Sequence, residues 1–161
     1  MGSGKTEVGK ILAKRLGLPF VDLDEEIEKS EGLSIPEIFS RKGEEYFRKR
    51  ETEILKKIAE NSGCVVSTGG GVVTREENWE ILRKGITIYL SLTEEEACRR
   101  LKGVNNRPLL EGGRREERIS FLLRRRLPLY EKADFKVETT GRRVEEVVEE
   151  IIQLLGRDAR T

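Results

Sequence analysis

Apolar positions along this chain switch repeatedly between a helical and a strand period. Val8, Ile11, Leu12 and Leu16 fall on one helical face, and Gly17 behind them is a helix stop. "PFVDLD" (19–24) then reads as a short strand ending in two acids. Ser34-Ile-Pro-Glu37 has the form of a capping box with proline in the first turn, which predicts a helix to about Lys42. Gly43 breaks it. A longer charged helix over 44–60 carries Phe47, Ile54, Leu55 and Ile58. "CVVSTGGG" (64–71) is a buried strand running into three glycines, followed by a helix over 75–84 and the strand "ITIYLSL" (86–92). Thr93 with Glu96 caps a further helix. Residues 102–113 hold several breakers and no periodicity, and read as a loop. An arginine-rich helix over about 115–130, the strand "DFKVET" (134–139) and a last amphipathic helix on Val144, Val147, Val148, Ile151, Ile152 and Leu155 complete the chain. No internal repeat or low-complexity segment interrupts this order.

Short strands separated by helices predict an α/β fold: a parallel sheet with helices on both faces, three layers in all. At 161 residues the chain is one domain with a full core. In such sheets ligands bind beyond the carboxyl ends of the strands. "DLD", "TGGG" and "NNRPLL" all fall at or just after the ends of predicted elements, so they converge on one edge.

Composition narrows the chemistry. The formal charge is +1, from 31 basic and 30 acidic side chains, which argues against a nucleic-acid partner. Charged residues reach 38%, well above the usual quarter or so, as in a protein with surface ion-pair networks or with solvated helices. There is no histidine, so zinc, haem and histidine acid–base chemistry lose their usual groups. Cys64 and Cys98 have no metal or redox spacing and are expected to be reduced, buried thiols. No apolar stretch is long enough to span a bilayer, and no signal peptide is visible, so the expected location is the cytoplasm with no membrane partner.

Four groups of residues carry candidate chemistry. Gly2, Ser3, Gly4, Lys5 and Thr6 look like the end of a phosphate-binding loop that opens a helix, although a flexible terminus reads the same way. There, glycines let backbone N–H groups turn around a phosphate, the lysine reaches the β- and γ-phosphates and the threonine holds Mg²⁺. Asp22 and Asp24, two apart on a strand, would share a face at its end, or simply form a solvated terminus. Arg48, Arg107 and Arg126 offer planar forks for carboxylate or phosphate, among many arginines expected on the surface. Arg124, Arg125 and Arg126 are consecutive on a helix, so at most one or two of them face a site. Gly69, Gly70 and Gly71 allow a ligand close to the backbone, or form an ordinary turn.

Together, "MGSGKT", "FVDLDEEIE", "GLSIPEIFSRKGEEYFRKRETEIL", "VVSTGGGVV", "NNRPLL" and "RRRLPLY" make the chain resemble the shikimate kinase family along nearly its whole length. The resemblance implies a P-loop fold of the nucleoside-monophosphate-kinase type and transfer of the ATP γ-phosphate to the 3-hydroxyl of shikimate, in aromatic amino-acid synthesis. It implies one kinase domain over residues 1–161, with a substrate-binding region over about 24–60 and a lid over about 102–113. By the same resemblance Lys5, Asp24 and Arg107 are catalytic. Thr6 and Asp22 serve Mg²⁺. Asp24, Arg48, Gly69, Gly70, Gly71 and Arg126 bind shikimate. Gly2, Ser3, Gly4, Lys5, Thr6, Arg100, Arg107, Arg142 and Arg143 bind ATP. The expected partners are ATP and shikimate, for a monomer. The alternatives are another small-molecule kinase of this fold, such as gluconate kinase, or a truncated ligand-binding domain without turnover.

The chain departs from the family pattern in two places. Family members carry a strand and a first loop glycine ahead of the position of Met1, and that strand lies mid-sheet. Its loss would leave backbone groups of both neighbours unpaired, at roughly 1–3 kcal/mol each. The expectation is therefore a sheet missing its first, central strand, with about ten or more residues upstream of Met1 in the natural protein, the alternative being a true fragment. The second departure lies in "TTGRRVEE", where Glu145 stands at a position often held by proline in the adenine-binding loop.

Overall fold

The computed structural model describes residues 4–61, 63–93, 95–96, 99 and 115–158. Helix α1 (Lys5–Leu16) leads into strand β1 (Phe20–Asp22), then α2 (Leu23–Glu31), α3 (Ile35–Lys42) and α4 (Glu44–Glu60). Strand β2 (Val65–Ser67) runs through Thr68 and Gly69 into a 3-10 helix, Gly70–Thr74, called here the glycine turn. Helix α5 (Glu76–Leu82), strand β3 (Ile88–Ser91), helix α6 (Arg115–Tyr130), strand β4 (Phe135–Glu138) and helix α7 (Val144–Arg157) follow.

The strands pair in parallel, as the alternation of elements predicts. β1 lies on β2 with Phe20 opposite Val65 and Asp22 opposite Ser67, and β3 lies on β4 with Ile88 opposite Phe135 and Ser91 opposite Glu138. Among the described residues no strand joins the two pairs. Helices α1 and α7 span them instead: Val8, Leu12, Val147, Val148 and Ile151 form one core with Val137, and Val65, Ile88 and Leu90 pack against it. A second core lies among α2, α3, α4, α5 and the glycine turn, on Leu23, Ile27, Ile38, Phe47, Leu55, Val72 and Trp79. Tyr130, the last residue of α6, joins that second core.

Local chemistry explains most boundaries. The Ser34 hydroxyl accepts from Glu37 N at 3.3 Å while Glu37 reaches back to Ser34 N at 3.4 Å, which is the predicted capping box. Thr93 Oγ1 accepts from Glu96 N at 3.2 Å, as its spacing predicts. Two expectations need correction. The strand predicted over 19–24 stops at Asp22, and Leu23–Glu31 is a helix that alternation did not reveal. Asp22 starts that helix by accepting from Glu25 N at 3.2 Å, which satisfies one of its open N–H groups. Cys64 is a free thiol but only half-buried, because it lies in the turn before β2; Cys98 lies outside the described residues.

Candidate active site

The site builds up at the carboxyl ends of β1 and β2, where two chain turns meet the start of α1. Gly4 precedes α1 with φ 76° and ψ 25°, a left-handed conformation in which a side chain would be strained. It leaves Lys5 and Thr6 as the first two residues of the helix, beside its open N–H groups. Thr6 Oγ1 donates to Asp22 Oδ2 at 3.2 Å. A hydroxyl and a carboxylate oxygen at that separation are hard donors of the kind Mg²⁺ takes alongside phosphate and water.

Asp24 sits in the first turn of α2, not on a strand face shared with Asp22. The two acids still reach the same edge, because Asp22 ends β1 and Asp24 begins the helix it caps. A Cβ added at Gly69 would lie 3.1 Å from Asp24 Oδ1, so the backbone after β2 passes close against this carboxylate. A Cβ added at Gly71 would fall inside the Arg48 guanidinium. The triple glycine is thus a close approach of backbone to two charged side chains, which no larger residue permits at Gly71.

Arg48 and Arg126 are both buried. Arg48 Nη1 donates to Glu51 Oε1 at 2.9 Å, one turn further along α4. Glu51 is 0% exposed, and its Oε2 has no hydrogen-bond partner among the described residues. Burial pushes its carboxyl above the ordinary carboxylate range; Arg48 and Arg126 pull it down, and Asp24 pushes it up. Asp24, Arg48 and Arg126 therefore all lie within electrostatic reach of Glu51. Arg124 and Arg125 point outward, so one arginine of the three turns inward, within the limit that helical geometry sets.

Two further predicted arginines are engaged around the start of α7. Arg142 donates to Glu138 O at 2.9 Å, Glu150 Oε1 at 2.8 Å and Glu146 O at 3.2 Å, tying the end of β4 to α7. Arg143 pairs with Glu146 at 3.0 Å. Gly2, Ser3, Arg100, Arg107 and the segment 102–113 lie outside the described residues. Two buried residues of the site were not singled out from the sequence, Glu51 and Tyr130. Each had a signal: Glu51 is three residues from Arg48, and Tyr130 four from Arg126, spacings that share a helix face.

This arrangement offers a helix start with a hydroxyl–carboxylate pair, beside two buried arginines and two acids. It can hold a polyphosphate next to a small hydroxylated carboxylate. Comparison with known proteins points the same way. The family model for shikimate kinase matches residues 1–156. A shikimate kinase of Thermodesulfovibrio yellowstonii is 52% identical over 154 residues, spanning 95% of this chain and 89% of that protein. The structure of shikimate kinase from Acinetobacter baumannii in complex with shikimate has a TM-score of 0.95 at 39% identity, covering 100% of this chain and 91% of that one. Shikimate kinase from Aquifex aeolicus has a TM-score of 0.85 at 43% identity, covering 97% and 92%. With a family match over nearly the whole chain, and relatives this similar in sequence and fold, the chain belongs to the shikimate kinase family.

Proposed function

We propose that this chain transfers the γ-phosphate of ATP to the 3-hydroxyl of shikimate, a step in aromatic amino-acid synthesis. The observation that carries the reading is that the glycine turn abuts the Asp24 carboxylate and the buried Arg48, with the buried Arg126 within electrostatic reach of their shared neighbour Glu51. A small triol with one carboxylate complements two guanidinium forks and one acid. In this reading Arg48 and Arg126 hold the shikimate carboxylate, and Gly69, Gly70 and Gly71 line its ring. Asp24 holds the ring hydroxyls and orients, or takes the proton from, the attacking oxygen.

Phosphoryl transfer needs positioning and charge neutralisation more than covalent chemistry, which suits a chain without histidine. Gly2, Ser3, Gly4, Lys5 and Thr6 cradle the phosphates, with Lys5 on the transferred group. Arg107 reaches over the phosphates, and Arg100, Arg142 and Arg143 serve the nucleotide. Thr6 and Asp22 would hold Mg²⁺, which would supply charge neutralisation at the phosphates. The reading includes a cytoplasmic monomer; among the described residues no helix is long and apolar enough to cross a membrane.

The test is ADP release from MgATP with shikimate, with D-gluconate and with no acceptor. Release that requires shikimate is the expected result. Release with gluconate instead would make this a different small-molecule kinase. Binding of shikimate without release would make it a ligand-binding domain.

A further inference from the structure

The glycine turn is held by side chains. Four successive carbonyls of the turn, Gly70 to Val73, each accept from a side chain. Gly70 O takes the Tyr130 hydroxyl at 3.0 Å, Gly71 O takes Thr74 Oγ1 at 2.7 Å, Val72 O takes Asn78 Nδ2 at 2.9 Å and Val73 O takes Trp79 Nε1 at 3.0 Å. Three of these donors come from the turn itself or the helix that follows it. Only the Tyr130 hydroxyl comes from a distant part of the chain, at a separation of 60 residues.

Tyr130 ends α6, one helical turn beyond Arg126 and on the same face. Its ring is fixed by stacking on Tyr89 of β3, with centroids 5.0 Å apart and planes 24° apart. A phenol has one proton to donate and lone pairs to accept with. Here the proton goes to Gly70 O. Burial holds the phenol above its ordinary pKa, against the charge of Arg126 and a hydrogen bond with it. The hydroxyl therefore stays a donor throughout the working range, and its oxygen faces Arg126.

We propose that Tyr130 is a positioning residue for shikimate: its hydroxyl ties the glycine turn to the helix that presents Arg126, and so sets the spacing between the ring-binding and carboxylate-binding parts of the site. The inference rests on the shikimate reading above. Gly70 stands between Gly69, which abuts Asp24, and Gly71, which abuts Arg48. A shift of the Gly70 carbonyl is thus passed to both ligand-binding side chains. Without the hydroxyl, α6 and the turn still pack through the tyrosine ring, but their relative position is no longer pinned, and small errors of position are costly at a reacting centre.

Tyr130→Phe removes the oxygen and keeps the ring. The chain has one tryptophan, Trp79, bonded to the glycine turn, so its fluorescence can follow shikimate binding directly. The expected result is a shikimate Kd and KM raised roughly three- to tenfold, the worth of one hydrogen bond, with the ATP KM within about twofold of wild type. Val137→Ala, in the other core, is the control for a merely structural effect: it should lower Tm at least as much and leave the shikimate Kd unchanged. An unchanged shikimate Kd in Tyr130→Phe, a parallel rise in the ATP KM, or an equal rise in Val137→Ala would overturn the proposal. Failure of the wild-type chain to bind shikimate would overturn the shikimate reading itself, and this inference with it.

Discussion

Arg48 gives one N–H to Glu51, and the second oxygen of that carboxylate has no partner among the described residues. Glu51 thus holds the arginine in place while being poorly solvated itself. In Glu51→Gln the guanidinium keeps a neutral acceptor but loses its counter-charge, and we expect the shikimate KM to rise about tenfold with the ATP KM unchanged. The pH dependence has a definite sign. Burial raises the Glu51 pKa in the folded protein, so its stabilising contribution is complete below the ordinary carboxylate pKa and is lost as pH rises through the raised one. The Tm of wild type relative to Glu51→Gln should therefore fall as pH rises from about 4.5. A difference that grew with pH would mean that Arg48, not burial, decides the charge of Glu51. Gly71→Ala tests the same contact from the other side. Its methyl group would occupy the guanidinium's place and force Arg48 off Glu51, raising the shikimate KM about tenfold or more in steady-state kinetics, at a loss of about 1–3 kcal/mol from overpacking. An unchanged KM would show that Arg48 has a second productive rotamer.

At the scale of elements, the capping box at α3 was legible because it is local: Ser34 and Glu37 satisfy each other's neighbouring N–H groups whatever the rest of the chain does. Ser34→Ala should cost about 1 kcal/mol and lower Tm by about 2–4 °C in calorimetry. Both KM values should stay put, because the cap lies at the exposed start of the helix; a raised shikimate KM would show that α3 helps to place the site. Helix α2 was less legible. Its residues follow a strand ending in acids, and a period of two carried the reading through Asp24. Yet Asp22-x-x-Glu25 is itself a helix-start pattern, and the cap formed there turns the chain two residues early. The parallel pairing followed from alternation alone. The pairing of Arg48 with Glu51 did not, since among so many charged side chains spacing cannot tell a buried ion pair from exposed ones such as Arg83 with Glu76. Burial, which separates them, is a property of the assembled helices.

Across the whole molecule the two cores divide the proposed work. Asp24, Arg48 and the glycine turn belong to elements of the α2–α5 core, which Tyr130 of α6 joins, while Lys5 and Thr6 open α1 and Arg142 and Arg143 precede α7 in the other. Hydrogen exchange should read this division. Shikimate alone is expected to slow exchange in α4, the glycine turn and the end of α6, and MgATP alone in α1 and the first turn of α7. Protection by shikimate confined to α1 and α7 would contradict the assignment of its pocket. The pocket also has a consequence for how fast its ligand arrives. Arg48 and Arg126 lie among acidic neighbours, and the chain as a whole carries a formal charge of only +1. Such a surface projects little field toward an approaching anion. The encounter with shikimate is then left to unaided diffusion, and its association rate should barely change between low and high ionic strength, where a steered encounter would slow steeply.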